Sequence, residues 1–281
     1  MAWRRSTAGP ILRPQDPRAP PLFKNLFRKT PPLPPPSTGG RLVYAVGDVH
    51  GRLDILGPLL HDIAADAAAS RPAERPLLVF LGDYVDRGAD SMGGVDLILR
   101  MQAYDRIETR VLKGNHEEAL LKFLDDPAAM GPLWVDHGGA TTLASYGVQP
   151  PATRTDPEAW ARAGEAFVRV LPAAHRRFYE TLELMITVGD YAFVHAGVRP
   201  GVPLAEQGER DLLWIRQEFL QWEGPYGKVI VHGHTPAEQA QLTRWRLGID
   251  TGAYATGVLT AVRLEGEHQR LMQAKATRSA A

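Results

Sequence analysis

Five short stretches concentrate residues that can bind metal ions or move protons: Gly47-Asp48-Val49-His50-Gly51, Gly82-Asp83-Tyr84-Val85-Asp86-Arg87-Gly88, Gly114-Asn115-His116-Glu117, His195-Ala196-Gly197 and Gly233-His234-Thr235-Pro236. Carboxylate, amide and imidazole are hard or borderline ligands, and such a sulfur-free set suits Mn, Fe, Zn or Mg. Asp48, His50, Asp83, Asn115, His195 and His234 offer more ligands than one tetrahedral site takes. A carboxylate bridging two ions accounts for the surplus. Glycine beside these ligands lets the backbone turn sharply and approach a bound group. Any one stretch alone reads as a polar turn; five in the same setting do not.

That setting is the end of an apolar run. Residues 42–46, 77–81, 109–112, 191–195, 229–232 and 258–264 are short and rich in Val, Leu and Ile, and each gives way to a Gly, Asp or polar turn. Strands buried on both faces read this way. Segments 53–69, 91–103, 116–125 and 173–184 read as helices, with Pro172 suited to a first turn. The alternation predicts α/β layers joined by crossovers. In open α/β sheets the carboxyl ends of strands line one crevice, so the strand ends bring the five stretches together. Residues 118–186 break the pattern. They are mostly helical, with a turn at His137-Gly138-Gly139 and a Pro-rich loop at Pro150-Pro151, and are expected to form a small helical cap insertion within a domain spanning 41–281.

Composition narrows the classes. The 281 residues are 44% hydrophobic and 23% charged, with no net charge and no cysteine. Disulfide scaffolds, thiolate nucleophiles and Cys-based zinc sites are excluded together. A balanced charge points to no nucleic-acid partner. No apolar run reaches the roughly 18–20 residues of a membrane span, and the opening MAWRRSTAGPILRP lacks the apolar core of a secretory signal. A cytoplasmic location is expected. Residues 1–40 hold ten prolines, seven Lys or Arg and one acidic residue, Asp16. They read as a disordered basic tail, in which Leu22, Phe23, Leu26 and Phe27 could anchor a docking arm whose partner the sequence does not name.

The order GDVHG, GDYVDRG, GNHE, VHAG, GHTP resembles the calcineurin-like metallophosphoesterases, and GDYVDRG with GNHE is similar to their phosphoprotein phosphatase branch in its bacterial form. The likeness spans about residues 42–264. It implies a four-layer α/β/β/α sandwich with two divalent metal ions at one edge. Mn is the expected metal, with Fe or Zn as alternatives. By this resemblance Asp48 and His50 hold the first ion, Asp83 bridges, and Asn115, His195 and His234 hold the second. Water activated between the two ions attacks phosphorus in line. His116 is the implied general acid for the leaving oxygen and Asp86 its orienting partner. Arg87 and Arg216 (two residues after Trp214) are the implied phosphate clamps, with Asn115 a further substrate contact. Trp214 is expected in the core, His232 either in the core or behind the metal ligands, and Asp250 in a structural turn. Gly138-Gly139-Ala140-Thr141-Thr142-Leu143 resembles a GG-x-x-TL signature of bacterial members and, with His137 and Trp134 beside it, reads either as a helix-capping turn or as a part of the substrate cleft.

The resemblance favours a protein serine/threonine phosphatase acting on phosphorylated proteins or peptides, with phosphotyrosine as a second substrate. A symmetrical dinucleoside tetraphosphate hydrolase is the alternative. That branch usually carries GNHD where this chain has Glu117. A binding module that kept the fold and lost its chemistry is the remote third.

Overall fold

The structure, a computed structural model, describes residues 34–277. In chain order the elements are β1 (Val43–Val46), α1 (Leu53–Ser70), β2 (Leu77–Phe80), α2 (Ser91–Gln102), β3 (Glu108–Val111), α3 (Asn115–Asp125), α4 (Pro127–Asp136), α5 (Gly139–Ser145), α6 (Pro157–Val170), α7 (Ala173–Glu180), β4 (Met185–Val188), β5 (Tyr191–Val194), α8 (Glu209–Trp214), α9 (Gln217–Leu220), β6 (Val229–His232), β7 (Gln241–Leu242), β8 (Arg246–Gly248), α10 (Ala253–Thr256), β9 (Val258–Glu265) and β10 (His268–Lys275). They build two five-stranded sheets, ordered β10-β9-β1-β2-β3 and β4-β5-β6-β8-β7. Each has a parallel centre, β1-β2-β3 in the first and β5-β6-β8 in the second, flanked by antiparallel strands.

Alternate side chains along each central strand point to opposite faces, and both faces are apolar here. Val43, Ala45, Leu77, Val79 and Leu81 of the first sheet meet Tyr191, Phe193, Val229, Val231 and Leu247 of the second. Tyr44, Val46, Leu78 and Phe80 turn the other way, onto Ile55, Leu59 and Ile63 of α1 and Val95 and Ile98 of α2. On the second sheet Ala192, Val194 and Ile230 pack against Leu212 of α8, Ile215 and Phe219. The result is the four-layer α/β/β/α sandwich. Because both faces are covered, these strands carry unbroken apolar runs.

Helices α3–α7 lie between β3 and β4, and their Phe123, Trp134, Trp160, Phe167 and Tyr179 belong to the same core as α1 and α2. Asp126 and Asp156 cap α4 and α6 with side-chain bonds to the N–H of Ala129 (3.1 Å) and Ala159 (2.9 Å), each followed by a proline at the first position.

Several expectations need correction. The helix predicted over 173–184 stops at Glu180, and the next segment is β4. Strand β10 has no apolar alternation to read, because it is a sheet edge exposed along most of its length. The boundary expected at residue 40 falls earlier. Ser37 N–H donates to Asp190 (2.9 Å), and Thr38, buried, donates its N–H to Gly266 O (3.1 Å). Polar turn residues here hold the chain to two hairpin turns. The predicted tail up to residue 33, with its apolar anchor, lies outside the described residues. Among the described residues no helix is long and apolar enough to cross a membrane.

Candidate metal and catalytic site

The parallel strands of both sheets end at one edge, and their loops are stitched together there. Val49 and His50 N–H donate to Asp83 O (3.1 and 2.8 Å), and Gly51 N–H to Tyr84 O (2.8 Å). Gly233 N–H, across on the second sheet, donates to His195 O (2.8 Å). Holding short loops in this shape forces residues with side chains into the left-handed region. His50, Asp83, Asp86, Arg87 and His234 have φ of 46°, 52°, 71°, 68° and 65°. Such strain persists only where surrounding bonds over-determine it, and it concentrates at functional sites. Gly114 is required for a different reason: a Cβ there would stand 2.2 Å from Asp83 Oδ1.

Asp83 is the hub. Its Oδ2 lies 3.6 Å from His50 Nε2 and 3.9 Å from His116 Nε2, and its Oδ1 lies 3.4 Å from His195 Nε2. Asp83 is thereby common to two groups that could hold an ion, one with His50 and His116, the other with His195 and His234. The first N–H groups of a helix favour an anion, and His116 N–H at the start of α3 donates to Asp83 Oδ1 at 3.1 Å. Burial would raise the Asp83 carboxyl, but the facing histidines outweigh it and hold it well below the usual carboxylate range.

The imidazoles divide into two kinds. His50 Nδ1 faces Val85 O at 2.9 Å and His195 Nδ1 faces Leu81 O at 2.8 Å. A carbonyl only accepts, so both Nδ1 atoms carry the hydrogen and both Nε2 atoms present a lone pair. Burial lowers His50 to about 3 and His234 to about 2, and also lowers His195. Neutral rings are what metal binding requires. His116 goes the opposite way. Burial opposes its charge, but the Asp83 and Asp86 carboxylates prevail and raise it above an ordinary imidazole. Its Nδ1 is 2.6 Å from Asp86 Oδ2.

A cation fits these donors. Among the described residues, Asp48 Oδ1 and His234 Nε2 are buried with no hydrogen-bond partner, a costly condition unless something binds them. Asn115 Oδ1 lies 2.9 Å from His195 Nε2 and 2.7 Å from His234 Nδ1. The His195 lone pair therefore faces an oxygen, a contact that a cation held by both residues would relieve. Asp48 stands apart from the two groups around Asp83. Its Oδ2 accepts the N–H of His234 at 2.9 Å, and burial, then Asp250 and Asp83, push its carboxyl up. Asp250 is itself raised to about 6, by burial first.

The predicted phosphate clamps take different positions. Arg87 lies at the centre, with Nη1 3.0 Å from His50 Nε2, Nη2 3.0 Å from His116 Nε2, and its guanidinium 4.5 Å over the Tyr254 ring. Arg216 sits between α8 and α9, exposed, 3.3 Å from Thr235 Oγ1 and thus next to His234 in the chain. Trp214 is not a core residue. It is 42% exposed, its ring is edge-on to His234 at 6.2 Å, and its Nε1 donates to Glu118 at 2.8 Å. The expectation failed because α8 presents its apolar face through Leu212 and Leu213 instead. His232 is buried against Phe219, as expected for a core residue.

Two contributions were not foreseen from the residues alone. Glu117, fully buried, accepts N–H groups from Asp83 (2.9 Å), Tyr84 (2.8 Å) and Gly114 (2.9 Å), binding two ligand loops to each other. Burial and then the Asp83 charge push it up to about 8. Trp134 and Thr142 bond to Asp86, whereas neighbouring His137 is exposed. The GG-x-x-TL signature was the available signal for the latter pair, but it does not say what the residues touch.

A sandwich of this layering, with a buried carboxylate shared by two imidazole groups where the strands end, is the framework of a metallophosphoesterase. Residues 42–255 match the calcineurin-like phosphoesterase family, and the chain belongs to it. Its relatives carry two kinds of name. It is 27% identical over 238 residues to the asymmetrical bis(5'-nucleosyl)-tetraphosphatase PrpE of Geobacillus thermodenitrificans, covering 78% of this chain and 88% of that protein. It is also 27% identical over 230 residues to serine/threonine-protein phosphatase 1 of Salmonella typhimurium, covering 80% and 93%. A solved structure provisionally named a diadenosine tetraphosphatase shares the fold with a TM-score of 0.57 at 20% identity, over 84% of this chain and 94% of that one. The chain is a phosphoester hydrolase with a metal-binding site.

Proposed function

We propose that this chain is a protein serine/threonine phosphatase that works with two divalent ions and takes phosphotyrosine as a secondary substrate. The observation that carries the chemistry is what each imidazole faces: Nδ1 of His50 and of His195 turns to a main-chain carbonyl, whereas Nδ1 of His116 turns to the Asp86 carboxylate. Asp48 and His50 would hold one ion, Asn115, His195 and His234 the other, with Asp83 between them. The oxygen and nitrogen donors suit Mn, with Fe or Zn as alternatives. When bound, such ions polarise the phosphoryl group and activate water.

The protein's own residues do the rest. Asp86 takes the Nδ1 hydrogen of His116, which leaves Nε2 to deliver a proton to the leaving oxygen. Arg87 Nη2 lies 3.0 Å from that nitrogen, so a phosphate gripped by the guanidinium is brought to the atom that donates. Arg216 offers a second guanidinium from the His234 side.

Preference for a protein substrate is supported by the intact GDYVDRG and, against the symmetrical dinucleoside tetraphosphate hydrolases, by Glu117 where that branch usually has Asp. The equal identity to PrpE favours a second reading, hydrolysis of dinucleoside tetraphosphates. Initial rates in Mn on a phosphoserine/phosphothreonine peptide, a phosphotyrosine peptide and diadenosine tetraphosphate separate the two. Fastest turnover of the phosphoserine/phosphothreonine peptide is expected. A clear preference for the dinucleotide would move the chain to nucleotide hydrolysis with its metal chemistry intact.

A further inference from the structure

We propose that Trp134 and Thr142 are positioning residues: they fix the Asp86 carboxylate in the one orientation that turns His116 Nε2 towards the site. The inference rests on the reading of His116 as general acid.

Asp86 is fully buried. Its Oδ2 accepts from His116 Nδ1 at 2.6 Å and from Trp134 Nε1 at 2.9 Å, and its Oδ1 accepts from Thr142 Oγ1 at 2.6 Å. Thr142 Oγ1 also accepts the backbone N–H of Asp86 at 2.8 Å, so one hydroxyl grips both the main chain and the carboxylate of the same residue. Ser91 Oγ stands 3.1 Å from that hydroxyl. With His116 as its only side-chain donor, the carboxylate could swing about its bond to Cβ, and the ring it orients would swing with it. Trp134 and Thr142 supply the two further donors that hold it.

The surrounding packing is built to bring them there. The Trp134 ring is buried against Phe123, with centroids 4.7 Å apart. Gly139 opens α5 against the same indole: a Cβ at this position would stand 2.4 Å from it. Gly138 accepts the N–H of Arg87 at 3.2 Å. The two glycines thus press the α4–α5 turn onto both the indole and the Asp86-Arg87 backbone. The signature Gly138-Gly139-x-x-Thr142-Leu143 then has a mechanical meaning: two glycines for close approach, a threonine to grip Asp86, and a leucine for the core.

The test uses the full-length, metal-loaded protein with two substrates, a phosphoserine peptide (alkyl leaving group) and p-nitrophenyl phosphate (aryl leaving group). Trp134→Phe keeps a ring in the core and removes the N–H. Thr142→Val keeps the shape and removes the hydroxyl, and Thr142→Ser restores the hydroxyl. Trp134→Phe and Thr142→Val are each expected to lower kcat on the peptide by about tenfold, the scale of one hydrogen bond to a charged group. Turnover of the aryl ester, both KM values and metal content should stay near wild type, and Thr142→Ser should retain the wild-type ratio of the two rates. In a His116→Asn background, Trp134→Phe should add no further loss. Equal loss on both esters in Trp134→Phe and Thr142→Val, or a full multiplicative loss in the His116→Asn background, overturns the positioning role. Failure of the underlying reading has a different mark: His116→Asn itself would then lose both activities equally.

Discussion

Replacing His116 by Asn separates proton donation from every other task of the site. Losing a general acid costs roughly 10²–10⁴-fold in rate, about 3–5 kcal/mol of transition-state stabilisation. The structure bounds what else is lost. Asp86 keeps its bonds from Trp134 and Thr142, so its charge stays buried and bonded. Asp83 keeps the backbone N–H of residue 116 at Oδ1. What disappears is the 2.6 Å bond to Asp86, the 3.0 Å contact with Arg87 Nη2 and the edge-on ring contact with His50 at 4.7 Å. A loss of this kind is worth about 1–3 kcal/mol of stability, or a fall in Tm of roughly 3–10 °C for a chain of this size. The variant should therefore be folded at assay temperature. Steady-state kinetics with metal content measured in parallel should give a peptide rate reduced by about 100-fold or more. The loss on p-nitrophenyl phosphate should be under about tenfold, because a nitrophenolate leaves with little help from an acid. The same factor on both esters, at unchanged metal content, would refute His116 as the acid.

Asp83→Asn should strip both ions together, since both candidate groups share this carboxylate; elemental analysis showing one ion at full occupancy would remove its bridging role. Arg216→Ala should leave Tm within about 1–2 °C of wild type, as its side chain is exposed and, among the described residues, bonds only to Thr235, while kcat/KM falls about tenfold or more; unchanged kinetics would count against a phosphate contact. Asp66 offers a pH test away from the site. Burial raises its carboxyl, but the Tyr44 hydroxyl at 2.6 Å and Arg263 at 2.7 Å, with Arg270, outweigh it and hold it below the usual carboxylate range. A depressed folded pKa stabilises above the unfolded value and is lost as pH falls through the folded one. Asp66→Asn should be less stable than wild type by about 1–2 kcal/mol at neutral pH, with the difference shrinking as pH drops below about 4; a constant gap in urea melts down to low pH would contradict this.

The central strands, the loops that follow them and the family were all legible in the chain as written. Residues 77–81 read as a buried strand because a sheet covered on both faces needs an apolar residue at every position, and the Gly-Asp that follows marks where the strand must turn. Each ligand stretch is contiguous, so its residue types and order are visible without folding. The edge strand β10 and the exposed Trp214 were not legible. Their surroundings are set by what packs, or fails to pack, against them, and local pattern carries no record of that.

Only the folded chain could relate the stretches to one another. Asp86 meets Trp134 and Thr142 at sequence separations of 48 and 56, and His234 meets Asn115 at 119. The strained backbone at His50, Asp83, Asp86, Arg87 and His234 exists because bonds between different strand ends hold it. The same is true of the division of labour among the histidines. Four imidazoles of identical intrinsic basicity separate into three candidate ligands whose charge burial opposes and one candidate acid whose charge carboxylates favour, because burial and neighbouring carboxylates differ at each. Residue type sets what chemistry a side chain can perform; the charges and dielectric that packing places around it decide which of those chemistries it performs.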